Sequence, residues 1–308
     1  MSEAAIDVSS RTAPACGATL LRPGNGNCGG CGMSSALQLF GRAATQHRVQ
    51  LVIPASCAAV MVGPFPTTSI GAPTVLSPFG AAAAVASGLA RVARLNGECT
   101  RVVCWAGDGA TYDIGMAGLS AAAERDEDIL YVCYDNEIYG NTGGQRSSAT
   151  PAGASTTNTP GGKREQKKDI LAIMAAHRVP YAASVSIAHP ADATRKMRRA
   201  LDLRGFRFLH VLSPCPTGWK SEPALGIELV RLAVRSGLYP LVEIVNGREL
   251  VIDEEPEFSR EALELYLSLQ RRFQRSALPA DALMDAIAQH WRDLRARGGR
   301  VAPACRET

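Results

Sequence analysis

Two oxygen-bearing side chains stand where a hard metal ion could bind. Asp108 closely follows a run of apolar, strand-forming residues (102–105), and Asn136 follows a second such run at 129–134. Apolar residues at helical spacing lie between them, so the segment predicts strand, helix, strand. Ligands of such units bind beyond the carboxyl ends of the strands. Because Mg²⁺ takes one or two protein oxygens and completes its shell with phosphate oxygens and water, the pair predicts a Mg²⁺–phosphate site.

The glycines around these residues favour a diphosphate as the ligand. Gly107 and Gly109 flank the aspartate and would let the backbone approach a diphosphate, and a helix opening near Asp113 would offer free N–H groups. The loop 141–144 (Asn-Thr-Gly-Gly) adds further donors. A Gly-Asp-Gly triplet alone is more often only a turn. Followed by a helix, a strand and Asn136, it is a much stronger indication of a cofactor site.

Four cysteines occupy positions from which metal ligands could converge. Cys28 and Cys31 form a CxxC pair in a glycine-rich loop, whereas Cys57 and Cys215 each follow a predicted strand. Cys57 and Cys215 are therefore expected on the same side of the sheet as the predicted diphosphate. Four thiolates of this kind could hold one [4Fe–4S] cluster or a zinc ion, or Cys57 and Cys215 could be buried thiols without a ligand.

Strand-like runs and helical spacing alternate along the chain, which is typical of an α/β fold with a parallel sheet flanked by helices. Residues 61–79 are rich in proline and aperiodic, so they are predicted to be a loop. Two amphipathic helices, 259–275 and 279–297, are predicted at the C-terminal end. The other predicted elements are strands 49–53, 102–105, 129–134, 180–185, 207–212 and 241–244, and helices 33–46, 80–95, 168–177, 191–203 and 222–236.

Composition excludes several classes of protein. The net charge of +4 is mild and the basic residues are scattered, so no nucleic-acid partner is predicted. The N-terminal residues lack the pattern of a secretory signal, and no run of 18 apolar residues predicts a membrane span. Nine cysteines in a chain of 308 residues do not indicate a disulfide scaffold, and a cytoplasmic location is expected.

Together these motifs resemble a known family. The Gly-Asp-Gly turn and Asn136 resemble the thiamin-diphosphate motif. The stretch YDIGMAGLSAAAERDEDILYVCYDNEIYGNTGGQRSSATP is similar to the β subunit of the 2-oxoacid:acceptor oxidoreductases, the pyruvate:ferredoxin oxidoreductase family. The resemblance implies an N-terminal arm (1–24), a thiamin-diphosphate and [4Fe–4S] binding domain (25–256) and a C-terminal helical extension (257–308).

The resemblance also implies roles for individual residues. Mg²⁺ would be bound by the side chains of Asp108 and Asn136 and by the carbonyl of Ile138. Asn141 is the predicted catalytic residue, because it would form a hydrogen bond near the reacting carbon of thiamin diphosphate. The predicted cluster ligands are Cys28, Cys31, Cys57 and Cys215, and the predicted cofactor contacts are Cys57, Gly107, Asp108, Gly109, Ala110, Asn136, Asn141, Thr142 and Gly143.

The implied activity is oxidative decarboxylation of a 2-oxoacid to an acyl-coenzyme A, with electrons leaving through the cluster. In this family the glutamate that contacts the aminopyrimidine ring, and most substrate-binding residues, belong to an α subunit. The chain alone is therefore predicted to be inactive. A ferredoxin-like iron–sulfur subunit would receive the electrons, or a flavin subunit would pass them to NAD.

The loop 61–79 departs from pyruvate-type members of the family. Thr67, Ile70, Thr74 and Leu76 stand where bulkier residues are expected, and Phe-Gly-Ala replaces Phe-Glu-Asn before the alanine-rich helix. Smaller walls would enlarge the substrate pocket, so a bulky aryl 2-oxoacid such as phenylglyoxylate is expected. A pyruvate:ferredoxin oxidoreductase is the alternative, and the loop could instead pack against another subunit.

Two interpretations outside this family remain open. A non-redox thiamin-diphosphate decarboxylase or synthase would need Asp108 and Asn136 but no set of four cysteines. A scaffold subunit without enzymatic activity would hold zinc through the cysteines, and its Gly-Asp-Gly triplet would be only a turn.

Overall fold

The computed structural model describes residues 19–64, 66–276 and 278–301, and within them nine strands form one sheet. Most strands are rich in valine, isoleucine and leucine and are buried on both faces, as expected of strands covered by helices on two sides. The strands are β1 (Val49–Pro54), β2 (Thr74–Ser77), β3 (Arg101–Gly107), β4 (Ile129–Asp135), β5 (Tyr181–Ser186), β6 (Arg207–Leu212), β7 (Leu241–Val245), β8 (Glu249–Glu254) and β9 (Arg300–Val301).

The strand order is β2-β1-β3-β4-β6-β5-β7-β8-β9, and the first six strands in this order are parallel. The prediction of an α/β fold with a parallel sheet flanked by helices is confirmed, and the sheet is mixed at one edge. β7 runs antiparallel to both β5 and β8. Asn246 and Gly247 have φ angles of 52° and 64° in the short β7–β8 loop. Such a loop can join only antiparallel strands, so β8, which was not predicted, reverses direction.

Helices pack on both faces of the sheet and form two apolar cores. α1, α6 and α8 contribute to one core, and α3, α4 and α10 to the other. The helices are α1 (Gly32–Ala43), α2 (Cys57–Val62), α3 (Ala82–Leu95), α4 (Met116–Glu124), α5 (Ile170–Ala176), α6 (Pro190–Asp202), α7 (Pro216–Trp219), α8 (Gly226–Arg235), α9 (Arg260–Ser268) and α10 (Ala280–Ala296). None of the described helices is long and apolar enough to cross a membrane.

The proline-rich segment 61–79 contains regular structure, contrary to the prediction. The last residues of α2 lie in it, and β2 pairs in parallel with β1 at the edge of the sheet. Pro73 and Pro78 bound β2 without interrupting it, as prolines do on edge strands. Ile70 is buried and forms an isolated bridge with Leu21, so the described end of the predicted N-terminal arm packs on this segment. Residues 1–18 of the predicted arm lie outside the described part of the chain.

The C-terminal helices pack against the sheet. Ser259 caps α9, because its side chain accepts a hydrogen bond from the Ala262 N–H at 3.1 Å. In α10, the Trp291 side chain is buried and its indole N–H donates to the Gly237 carbonyl at 2.8 Å. β9 then joins the edge of the sheet beside β8. The proposed boundaries of the three domains stay a prediction.

Trp291→Ala is expected to lower the free energy of unfolding by about 3–5 kcal/mol, because it leaves a cavity and an unpaired carbonyl beneath α10. Denaturant-induced unfolding measures the change. Leu265→Ala, at a side chain of α9 that is 46% exposed, is the control and should change the value by less than about 0.5 kcal/mol. A loss below about 1 kcal/mol for Trp291→Ala would contradict the packing of α10 on the sheet.

Candidate functional site

The predicted cation ligands lie at the carboxyl ends of two neighbouring strands. β3 pairs with β4, with Gly107 opposite Tyr134, so Asp108 and Asn136 leave the sheet side by side. Both side chains are buried. One end of the Asn136 amide lies 2.9 Å from Asp108 Oδ1 and 2.6 Å from the Ile138 carbonyl oxygen. The three groups are termed the cation site.

The amide of Asn136 has two possible orientations at this point. With its nitrogen inward, it donates hydrogen bonds to both oxygens. With its oxygen inward, it faces two other oxygens, and a cation would offset their repulsion. Neighbouring ligands of octahedral Mg²⁺ lie about 2.9 Å apart, given metal–oxygen distances of 2.0–2.1 Å. The spacing of Asp108 and Asn136 equals that value, and the 2.6 Å spacing of Asn136 and Ile138 is somewhat shorter.

The electrostatics of Asp108 also favour a cation. Burial and the nearby Asp135 carboxylate raise the pKa of Asp108 well above its ordinary value, although the Ser147 hydroxyl donates a hydrogen bond to it. A bound cation would offset the cost of burying this charge, since an opposite charge at close range favours the ionised form. The donor set, one carboxylate and two neutral oxygens, suits Mg²⁺.

The structure gives a steric reason for glycine on both sides of Asp108, which was not predicted. A Cβ atom at Gly109 would lie 1.8 Å from the ring of Tyr139, and one at Gly107 would touch the ring of Tyr134 at 3.3 Å. Aromatic side chains therefore exclude larger residues here. The helical turn begins directly at Gly109, not near Asp113, whose carboxylate instead accepts a hydrogen bond from the Tyr139 hydroxyl at 2.7 Å.

The predicted cofactor-contacting loop forms a tight reversal after Ile138. The Tyr139 and Gly144 N–H groups donate across its base, to Gln145 and Tyr139 respectively, both at 2.9 Å. Gly143 has a φ of 108°, which disfavours residues with side chains. Asn141, Thr142 and Gly143 are exposed, whereas Ala110 is buried beside the Gly-Asp-Gly turn.

The four predicted cysteines are brought together next to the cation site. A Cβ atom on Gly140 would lie 3.5 Å from Cys57 Sγ, 3.8 Å from Cys215 Sγ and 3.6 Å from Asn136 Nδ2. The loop with the CxxC pair is anchored to the Cys215 segment, since the Gly32 N–H donates to the Pro214 carbonyl at 2.9 Å. The four cysteines, Cys28, Cys31, Cys57 and Cys215, are termed the cysteine quartet.

The environment of the Cys57 thiol favours its neutral form. Burial, and then the other members of the quartet, raise its pKa to about 12. Within residues 19–64, 66–276 and 278–301, no three His, Cys, Asp or Glu side chains are grouped to hold a single metal ion. A zinc ion would need the four sulfurs around one point, whereas a [4Fe–4S] cluster binds each thiolate through a separate iron atom, so metal content distinguishes the two.

The other described cysteines lie away from the quartet. Cys104 and Cys133 are buried in β3 and β4. Cys99 is exposed, because it lies in the loop before β3.

A buried network of charged residues behind the cation site was not predicted. Lys167 Nζ lies 2.7 Å from Asp135 Oδ2 and 2.9 Å from Glu137 Oε1, and so bridges the residues on both sides of Asn136. The second oxygen of Glu137 accepts a hydrogen bond from Arg272 Nη2 at 2.7 Å. Asp135 and Glu137 adjoin Asn136 in the sequence, but nothing local indicates that Lys167 and Arg272 are their partners.

The network continues into the core through Asp135. His210 Nε2 lies 2.8 Å from Asp135 Oδ2, and the Tyr112 hydroxyl donates to the same oxygen at 3.0 Å. Burial alone would raise the pKa of Asp135, but Lys167 and His210 hold it below its ordinary value. Asp135 is therefore a charged structural anchor, whereas Asp108 has no cationic side chain at hydrogen-bond distance in the part of the chain that the structure describes.

Comparison with known proteins accords with this geometry. Residues 55–211 match the family described as thiamine pyrophosphate enzyme, C-terminal TPP binding domain. Among solved structures, the 2-oxoglutarate:ferredoxin oxidoreductase from Magnetococcus marinus has a similar fold, with a TM-score of 0.58 and 23% identity. The match covers 70% of this chain and 80% of that chain.

Curated relatives are closer in sequence. Ketoisovalerate oxidoreductase subunit VorB of Pyrococcus horikoshii is 39% identical over 284 residues, covering 88% of this chain and 91% of the relative. Pyruvate synthase subunit PorB of Methanothermobacter marburgensis is 43% identical over 259 residues, covering 82% and 89%. The chain therefore belongs to the thiamin-diphosphate-dependent 2-oxoacid oxidoreductases, as a β subunit of the family that its motifs resemble.

Proposed function

We propose that this chain holds the Mg²⁺–diphosphate end of thiamin diphosphate and one [4Fe–4S] cluster in an enzyme that converts a 2-oxoacid and coenzyme A to an acyl-coenzyme A and carbon dioxide. Thiamin diphosphate supplies the chemistry that breaks the bond to the carboxylate. Two electrons and a proton are released for each 2-oxoacid, and the electrons leave one at a time through the cysteine quartet to an iron–sulfur partner.

The observation that carries this proposal is the convergence of oxygens at the cation site. Asp108 Oδ1 and the Ile138 carbonyl oxygen both lie within hydrogen-bond distance of the Asn136 amide, at the ligand-binding edge of parallel strands. Their spacing and the burial of Asp108 favour a bound Mg²⁺, whose remaining positions diphosphate and water would fill. Asn141 and Thr142 lie exposed just beyond this site, where they could contact the cofactor.

The position of the cysteine quartet supports an oxidoreductase over a non-redox lyase. A Cβ atom at Gly140 would contact the Asn136 amide and the sulfurs of Cys57 and Cys215, so the quartet adjoins the cation site. A thiamin-dependent decarboxylase or synthase would have no use for four thiols beside its cofactor. A zinc scaffold would use the same four cysteines, and metal analysis distinguishes it from the cluster.

Exposed apolar side chains at the ligand-binding edge favour a partner that completes the site. Val60, Leu76 and Ile114 are between 54% and 60% exposed, and the loop at Asn141 is open to solvent. Large apolar side chains of this kind favour a protein contact. We propose that an α subunit covers this edge and supplies the aminopyrimidine glutamate and most substrate contacts.

For the substrate, we propose an aliphatic 2-oxoacid. The expectation of an aryl substrate has no support from the relatives, whose names refer to ketoisovalerate and pyruvate. The expectation of an aryl substrate also assumed that Ile70 lines the substrate pocket. This premise fails, because Ile70 is buried in the core. Leu76 is exposed and remains a candidate for the pocket wall.

The isolated chain should show no turnover, and co-purified α and β subunits should reduce ferredoxin or a viologen dye when supplied with 2-oxoacid and coenzyme A. A panel of pyruvate, ketoisovalerate and phenylglyoxylate, compared by kcat/KM, identifies the substrate. Turnover by the isolated chain would contradict the need for an α subunit. A higher kcat/KM for phenylglyoxylate would contradict the aliphatic proposal.

Asp108→Asn should abolish the rise in Tm that Mg²⁺ and thiamin diphosphate cause in the assembled enzyme, because the cation loses its carboxylate ligand. Without cofactor, the variant should unfold at the same Tm as the unmodified enzyme or higher, since a buried charge is removed. Differential scanning calorimetry measures both values. Asp285→Asn, at an exposed residue of α10, should keep the full cofactor-dependent rise. A full cofactor-dependent rise in Tm in Asp108→Asn would refute the cation site.

Cys57→Ser and Cys215→Ser should each remove about four iron and four sulfide per chain from anaerobically purified enzyme, because the cluster loses a ligand. Iron, sulfide and zinc analysis with visible absorption spectra measures the loss. Cys99→Ser, at an exposed cysteine outside the quartet, is the control and should leave the iron content unchanged. Zinc in the unmodified protein, or an iron content that neither substitution lowers, would overturn the cluster assignment.

A further inference from the structure

Glu137 lies between two ligands of the cation site and has every polar group engaged. Its N–H donates to Asp135 Oδ1 at 2.9 Å, and its carbonyl accepts from the Thr150 hydroxyl at 2.7 Å. Its carboxylate accepts from Lys167 through one oxygen and from Arg272 through the other. The side chain is only 5% exposed, so these contacts are shielded from water.

The backbone of Glu137 is held in an unfavourable conformation. Its φ of 63° lies in the left-handed region, which residues with a Cβ atom rarely adopt. Such a conformation persists only where surrounding contacts enforce it. Here it turns the chain so that the Asn136 amide and the Ile138 carbonyl oxygen face the same point, 2.6 Å apart.

Arg272 holds this turn from the C-terminal part of the chain. Its guanidinium stacks on Trp219, 4.2 Å from the ring centroid, and the Trp219 indole N–H donates to the Asn136 carbonyl at 2.8 Å. Arg272 thus acts on Glu137 directly and on Asn136 through Trp219. Its own carbonyl accepts hydrogen bonds from Ser155, so the arginine is fixed at its backbone as well.

We propose that Glu137 and Arg272 are positioning residues for the Mg²⁺–diphosphate site, and that the segment after residue 257 therefore sets the metal affinity of the cofactor domain. This inference rests on the proposed function. Partners of metal ligands typically change metal affinity by 10–100-fold when they are mutated, because they orient the ligands. Neither residue touches the metal, so the effect should be on binding and not on the chemical step.

Arg272→Met tests the proposal, because it keeps an apolar stem over Trp219 and removes the partner of Glu137. Mn²⁺ is the probe, titrated into the assembled enzyme with saturating thiamin diphosphate and followed by the electron paramagnetic resonance signal of free Mn²⁺. The apparent dissociation constant should rise about tenfold or more. Glu137→Gln should act in the same direction. In both variants, high Mg²⁺ should restore kcat, so that the loss falls on the KM for Mg²⁺.

Arg271→Met is the matched control, because Arg271 is the exposed neighbour of Arg272, and it should leave the Mn²⁺ affinity unchanged. Unchanged affinity in Arg272→Met would overturn the inference. If that variant does not assemble, Arg272→Lys keeps the charge without the planar fork, should weaken binding less, and overturns the inference if its affinity is unchanged. Failure of the unmodified enzyme to bind Mn²⁺ with thiamin diphosphate would instead refute the proposed function.

Discussion

The placement of two carboxylates in the interior, where β3 and β4 end, constrains the rest of the site. Asp108 and Asp135 repel each other at low dielectric, so each needs a positive charge if both are to ionise. Lys167 supplies a cation to Asp135, whereas none of the described residues places a cationic group at hydrogen-bond distance from Asp108. An external cation at Asp108, as proposed, would supply the missing charge, and the surrounding glycines, loops and distant arginine would orient its ligands.

The residues that orient the site come from far along the chain. Lys167 belongs to a segment without helix or strand, and Arg272 follows α9, yet both reach the short turn after β4. Removing one member of a buried charged pair is costly, because its partner stays buried without compensation. If the cofactor binds beside Asn136 as proposed, its binding and the folding of the C-terminal segment would therefore be linked, although Glu137 and Arg272 lie more than a hundred positions apart.

The local part of this architecture could be predicted from the sequence. The positions of Asp108 and Asn136 at strand ends could be predicted because strand, turn and helix patterns are local. The Asn246-Gly247 turn is a local signal of the same kind, but the hairpin was not predicted. β2 was not predicted, because its flanking prolines indicate a loop. The burial of Ile70 was not predicted, because it depends on the fold. Pairings such as Glu137 with Arg272 leave no pattern in either segment, so they could not be inferred from one sequence.

Gly140 limits how this part of the molecule could change in evolution. A Cβ atom there would lie in van der Waals contact with Cys57 Sγ, Cys215 Sγ and Asn136 Nδ2, at 3.5, 3.8 and 3.6 Å. Alanine would therefore fill the remaining space, whereas a longer side chain would push at least one of these three groups away. A large residue at position 140 would thus disturb the cysteine quartet and the cation site together, so neither can change at this position without the other.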